Sequence, residues 1–350
     1  MKSDRNLDIM RAMAVLGVLI AHCFPASPAQ MAAGHYAVLI FFVHTCLVLL
    51  LSLQRQAAGR TLSSPALPLR FYVQRAFRIY PLSVLCVFVT LVYRISWPDA
   101  LFTPRSAWSI TANLLLVQNF LHERYSVSPP LWSLPYEMQM YAVLPLLFLW
   151  LGKFRNKIPA PLVGLSIALP VLETAFSPLK GISITRYFPC FMGGAVAFSV
   201  YTQRRTIAWQ WWPVAVCGFG VIYGLTGQAM FEDWLICLAL GFVLTMFREV
   251  PQGLVSKAAA LVARYSYGIY LAHAPLLWLC LTRLPNLSAP VRWSLFGVLV
   301  CVVPVILYHA VEKPTIGAGK AISLRLFRQM PELHGPTSIP LEAQAASAGH

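Results

Sequence analysis

Long apolar runs separated by short polar connections make up most of the chain. Ten of these runs, at roughly 7–24, 36–54, 79–96, 138–152, 159–177, 186–202, 211–228, 233–248, 265–283 and 292–311, read as membrane-crossing helices, because a helix crosses a bilayer in about 20 predominantly apolar residues. An eleventh stretch, 108–121, is short for a crossing and is expected as a re-entrant element in an external segment from about 97 to 137. The pattern predicts an all-α polytopic membrane protein of about ten transmembrane helices. The first run, LDIMRAMAVLGVLIAHCF, departs from the others by carrying Asp8, Arg11 and His22. At about 100° per residue, the eleven steps from Arg11 to His22 return almost to the same angle, and Asp8 falls within about 40° of His22. One polar face therefore runs down an otherwise apolar helix, with Arg11 and His22 about 16 Å apart along the axis. Ionisable groups at that depth are expensive and by default line a functional interior.

Composition agrees with this pattern. The chain has 350 residues, of which 58% are hydrophobic and only 11% charged, whereas a soluble domain carries about 25% charged residues. Mean hydropathy is +0.65. The net charge of +15 gathers between the apolar runs, where it orients a membrane protein and meets anionic lipid headgroups rather than nucleic acid. If 108–121 does not cross, one side receives both termini and the loops holding Arg55, Arg60, Arg70, Arg75 and Arg78, then Lys153, Arg155 and Lys157, then Arg204 and Arg205, then Arg248, Lys257 and Arg264. The other side receives PASPAQMAAG and the acidic pair Glu232–Asp233, together with Arg105, Arg124, Lys180 and Arg292. That asymmetry places both termini in the cytoplasm. The eight cysteines are scattered without a CxxC or Cys/His pattern, so neither a metal site nor a disulfide framework is indicated. The first run is too long, and lacks the small-residue site, for a cleaved signal. Residues 1–314 read as one transmembrane unit, and 315–350 as a cytoplasmic tail that begins basic and amphipathic and becomes disordered.

Three groups of residues carry candidate chemistry. The topology puts His22 at the external end of the first span and Arg11 in its cytoplasmic half. In PPLWSLPYEMQMYAVLPLL, Ser133, Glu137 and Tyr141 are spaced by four and stack on one helix face if the helix reaches back that far. Pro135 can instead mark its first turn. Glu137 is either a carboxylate favoured by the helix dipole or the partner that orients His22 as a general base. In RFYVQRAFRIYPL, Arg75 and Arg78 are three apart and can face one anion; guanidinium forks suit phosphate, although positive-inside bias alone accounts for some arginine here. A cytoplasmic phosphate pocket beneath an external His–Glu site would suit a donor with a phosphorylated head and a reactive tail, the shape of a coenzyme A thioester. Arg186 either neutralises an anionic substrate, pairs with Glu137, or anchors its span. His273, with Tyr267 and Tyr270, and His44 lie at membrane depth, where a structural hydrogen bond is the simpler role. Glu312–Lys313–Pro314 is expected to close the tenth span at the cytoplasmic interface, with Pro314 stopping the helix.

Taken together these motifs resemble the membrane-bound acyltransferase type 3 family, whose members include O-antigen and exopolysaccharide O-acetylases and macrolide acyltransferases. The likeness extends from Leu7 to Pro314: Arg-X10-His at Arg11 and His22, RAFRIYPL before the third span, NLLLVQNF before the external loop, Trp-Ser-Leu-X-X-Glu at Trp132, Ser133, Leu134 and Glu137, then YSYGIYLAHAPLL and the closing EKP. Each pattern is weak alone; six in order are specific. The resemblance implies acyl transfer from a cytoplasmic acyl-CoA to a hydroxyl of a glycan or glycolipid, at the inner membrane of a bacterium. It implies His22, Glu137 and Arg11 as catalytic residues and Arg75 and Arg78 as the acyl-CoA site. Trp132, Ser133, Tyr141 and Arg186 are the candidates for substrate contact. Acetyl-CoA, or another acyl-CoA, is the expected donor, membrane lipids are the expected surroundings, and no metal is expected. The sequence departs from the family in its second helix, where Phe41-Phe42-Val43-His44-Thr45-Cys46 lacks the usual small Ser-Gly pair, and the esterase-like domain some members carry does not follow Pro314. The alternative from another class is a proton-coupled transporter of a small anionic metabolite or glycan intermediate, since buried His, Arg and Glu serve proton coupling as well.

Overall fold

A computed structural model describes residues 4–24, 27–57, 66–97, 106–120, 126–152, 160–176, 184–201, 206–226 and 230–327. The described residues are helical, with no strands beyond one isolated bridge, Ile207 to Phe247. The α-helices run in order as α1 Arg5–Cys23, α2 Pro28–Ala57, α3 Ala66–Val92, α4 Ala107–Leu115, α5 Leu134–Leu151, α6 Ala160–Phe176, α7 Ile184–Val200, α8 Trp211–Thr226, α9 Met230–Leu244, α10 Leu254–Leu277, α11 Ala289–Leu307 and α12 Lys313–Phe327. Every expected run has its helix. By length and apolarity alone, Arg5–Cys23, Pro28–Ala57, Ala66–Val92, Pro129–Leu151 and the continuous run Ala289–Leu326 can cross a membrane. The 108–121 stretch is a nine-residue helix, α4, followed by a 3-10 turn at Gln118–Phe120, well short of a crossing. The basic residues Arg60, Arg105, Arg124, Lys153, Arg155, Lys157, Lys180, Arg204 and Arg205 lie outside the described residues, as does the tail from 328 onward.

The outer surface is apolar, with Leu16, Ile20, Val84, Phe88, Val221, Leu225, Val298, Val302 and Ile306 all exposed. Such a girdle is costly in water and suits lipid. Inside, helices approach through small residues, as they do where lipid supplies no hydrophobic drive between helices. α1 meets α2 at Gly17–Ala37 and Ala21–Gly34, where an added Cβ would lie 3.0 Å and 2.8 Å from the facing methyl. α7 meets α9 through Gly193 and Gly241, each of which leaves no room for a side chain against the other helix's backbone. α7 also presents Gly194 to α2 at the Val43 carbonyl and Cys46. The lost Ser-Gly pair of the second helix is thus offset from the other side: the glycine that permits close packing belongs to α7.

The chain does not stop at Pro314. α11 passes through a π-turn at Tyr308–Glu312 directly into α12. Pro314 follows the π-turn by one residue and is carried inside this continuous helical run. α12 packs along α3, with Gly319 against Phe77 and Gln74 Nε2 donating to Ser323 Oγ at 3.2 Å. The expected tail therefore begins as a docked helix.

Candidate active site

The site is assembled by caps and turns at the helix starts together with hydrogen bonds between distant segments. α1 is capped by Asp4, whose carboxylate accepts from the Asn6 N–H, and it is tied to the segment before α10. Arg5 pairs with Glu249 at 2.8 Å, and Asn6 bonds the Arg248 carbonyl and the Val250 N–H. This fixes the phase of α1, so that Arg11 points inward and its Nε donates to Ser266 Oγ of α10 at 2.6 Å. α3 starts far enough before its apolar core that Arg75 and Arg78 stand on its inner face. The loop before α5 is held by the polar residues of NLLLVQNF. Asn113 Oδ1 accepts from the Val127 N–H at 2.9 Å, and Gln118 Nε2 donates to the Leu131 carbonyl at 2.9 Å. That locks the 3-10 turn Pro129–Trp132, after which α5 begins with Pro135 in its first turn. Ser133 does not cap α5 with its side chain; its Oγ is hydrogen-bonded to Tyr270 OH of α10 at 2.8 Å.

These arrangements close around a cavity whose walls include Arg11, His44, Arg75, Arg78, Ser133, Glu137, Tyr141, Ser266, Tyr267 and Tyr270. The stacking of Ser133, Glu137 and Tyr141 on one face is as the spacing predicts, and Tyr141 OH donates to Glu137 Oε2 at 2.9 Å. Arg78 forms an ion pair with Glu312 at 2.5 Å, and the Glu312 side chain is fully buried. Glu312, expected at the cytoplasmic interface, instead belongs to this cluster. Arg75 lies over the Phe71 ring at 5.8 Å, and its buried Nε has no hydrogen-bond partner. Arg11 stands in the electrostatic field of Arg78, Glu312 and Glu137. Three guanidinium groups thus face two carboxylates in an apolar bundle. A buried donor without an acceptor is costly, and the unpartnered Arg75 Nε makes the cavity suited to a further anionic group.

His22 stands apart from this cavity. Its Nδ1 lies 2.8 Å from the Val18 carbonyl; a carbonyl only accepts, so Nδ1 carries the proton and Nε2 the lone pair. The ring meets His273 edge to face, with centroids 5.0 Å apart. His273 is fixed the same way by the Ile269 carbonyl at 3.2 Å, and its own Nε2 is buried without a partner. Tyr270 stands 6.1 Å from His273 and lines the cavity, so ring contacts rather than hydrogen bonds join the cavity wall through Tyr270 and His273 to His22. The expected His22–Glu137 contact is not formed. Glu137 sits at the level of Arg11, because α5 begins inside the bundle and its carboxylate settles among guanidinium groups, where a buried anion is compensated. His44, read from sequence as structural, lines the cavity.

The family model for an acyltransferase domain matches residues 4–309. The chain belongs to the acyltransferase type 3 family. No curated protein and no solved structure gives a significant match. In this membrane acyltransferase the family's motifs therefore fall around one cavity and the histidine pair beside it. Two expected contact residues lie elsewhere. Arg186 is at the exposed start of α7, with its guanidinium 5.3 Å from the Tyr187 ring, and Trp132 packs on Tyr187 at 5.6 Å and on His35 at 6.1 Å. His35 and Asp233 form a hydrogen-bonded pair at 3.1 Å that sequence reading missed. The two are 198 positions apart, and no local pattern joins them.

Proposed function

We propose that this acyltransferase is a ten-span protein of the bacterial inner membrane, with both termini cytoplasmic, that moves an acetyl group from acetyl-CoA to a hydroxyl of a surface polysaccharide or lipid-linked glycan. The cavity is the observation that carries the reading: Arg11, Arg75 and Arg78 converge there, and Tyr270 of its wall stands against the His273–His22 ring pair. Arg75 and Arg78 hold the donor's phosphates by bidentate, charge-assisted hydrogen bonds. Arg11 adds a third positive charge at this donor end of the site, beside Glu137 and away from the reacting carbon. The arm of a coenzyme A thioester separates its phosphates from its reacting carbon, and Arg11 and His22 are separated by about 16 Å along one helix.

His22 Nε2 accepts the proton of the acceptor hydroxyl as its oxygen attacks the acyl carbon. The C–S bond breaks as the new ester forms, and the departing thiolate takes the proton from His22, which restores the neutral imidazole. Val18's carbonyl, rather than Glu137, sets the tautomer that this step needs. Glu137 serves the donor end, holding Tyr141 and balancing the arginines.

The test is mass spectrometry of the surface glycan from a deletion strain complemented with wild type, His22→Ala or Glu137→Gln at matched membrane levels. His22→Ala is expected to lower acetylation by about 10²-fold or more, and near-wild-type acetylation in both variants overturns the mechanism. Acetyl-CoA is also expected to protect Arg75 and Arg78 from arginine-directed labelling, which a transporter of a small anion would not show.

A further inference from the structure

A second histidine, unused by the mechanism above, has the carboxylate partner that His22 lacks. His35 Nε2–H donates to Asp233 Oδ2 at 3.1 Å, and Tyr223 OH donates to Asp233 Oδ1 at 2.5 Å. Asp233 is completely buried, whereas 21% of the His35 side chain is exposed. Because Nε2 is committed to the carboxylate, the remaining chemistry of His35 is at Nδ1, which has no partner among the described residues. Aromatic rings bracket the imidazole. Trp132 and Tyr223 both lie nearly parallel to it, at 13° and 9° with centroids 6.1 Å away, and Tyr187 is equally close. Five elements supply this cluster: α2, the turn before α5, α7, α8 and α9.

The cluster is level with His22. Gly34 packs directly on Ala21, so the residues next in sequence, His35 and His22, occupy neighbouring turns of two touching helices. Trp132 also joins the cluster to the cavity, because the next residue, Ser133, lines it.

We infer that His35, set by Asp233, and the Trp132 ring beside it form the subsite that holds the sugar ring of the acceptor, with His35 Nδ1 bonded to one of its hydroxyls. The apolar C–H face of a pyranose packs on an electron-rich aromatic face, and an imidazole with a fixed tautomer supplies one directed hydrogen bond. A few placed polar groups among aromatic rings are what orients a small polar ligand. A site for the acyl chain would have no use for the buried carboxylate, and a phosphate site would be repelled by it. The subsite rests on the acyl-transfer reading, and it makes His35 a positioning residue rather than the base.

The experiment uses membranes from the deletion strain carrying wild type, His35→Gln or Trp132→Leu, with labelled acetyl-CoA as donor and the glycolipid fraction of the deletion strain as acceptor. Both variants are expected to raise the acceptor KM about tenfold, the size of one lost hydrogen bond or ring contact, while the acetyl-CoA KM stays within about twofold of wild type. Asp233→Asn should reproduce the His35→Gln effect if it folds, and Asp233→Glu should restore part of it. An unchanged acceptor KM in both His35→Gln and Trp132→Leu overturns the subsite. So does a fall in kcat with both KM values unaltered, or a parallel rise in both, since either marks a structural cluster. Failure of the wild-type protein to transfer label at all overturns the acyl-transfer reading itself, a result distinguishable from the others.

Discussion

Arg78 and Glu312 show how a single residue's role depends on its partner. Truncating Arg78 removes the proposed phosphate contact but also strands a fully buried carboxylate, and breaking a buried pair from one side costs about 3–5 kcal/mol. Arg78→Ala is therefore expected to lower the amount of folded protein in the membrane as well as activity. Arg78→Met combined with Glu312→Gln should recover the membrane level, measured by quantitative blot, without recovering glycan acetylation. Recovery of both would show that Arg78 has no part in donor binding. His273 is the opposite case, a residue that touches His22 without being hydrogen-bonded to it. His273→Phe keeps the edge-to-face packing against His22 and removes the buried, unpartnered Nε2. It is expected to preserve the detergent melting temperature and to lower kcat with little change in the acetyl-CoA KM. An unaltered kcat would confine His273 to packing.

At the scale of elements, close approach is decided by glycines that face another helix's backbone. Gly194→Val forces branched volume into the Val43–Cys46 stretch of α2, and overpacking of this kind costs about 1–3 kcal/mol. A lower melting temperature of the detergent-solubilised protein is the expected result, with the loss smaller when Cys46→Gly is added. Helix existence was legible throughout the sequence, since a run of twenty apolar residues has few other solutions in lipid. The order Ser133, Glu137, Tyr141 was legible too, because spacing by four fixes a helix face. What periodicity cannot give is depth. Glu137 was expected beside His22 because both read as external, yet the turn at Pro129–Trp132 lets α5 begin inside the bundle, and Glu137 lies with Arg11. The same limit hid Glu312, whose EKP context reads as a terminus, and the His35–Asp233 pair, whose partners meet only through the packing of α2 and α9.

For the whole molecule, the arrangement divides labour along the bundle. Cations and their carboxylates gather around Arg11, and histidines and aromatic rings gather around His22 and His35, with Tyr270 between the two groups. The continuous helix from Ala289 to Phe327 must satisfy two demands of this plan at once, presenting Glu312 to Arg78 and laying Gly319 against Phe77. The π-turn at Tyr308–Glu312 lies immediately before both. A π-turn holds one residue more than the α-helical turn it replaces, so it acts as a phase setting, advancing everything after it by about 100°. Deleting one residue between Tyr308 and Val311 would rewind that phase. The helix could then keep its grip on α3 or its carboxylate on Arg78, and the position of one added or removed residue would decide between them.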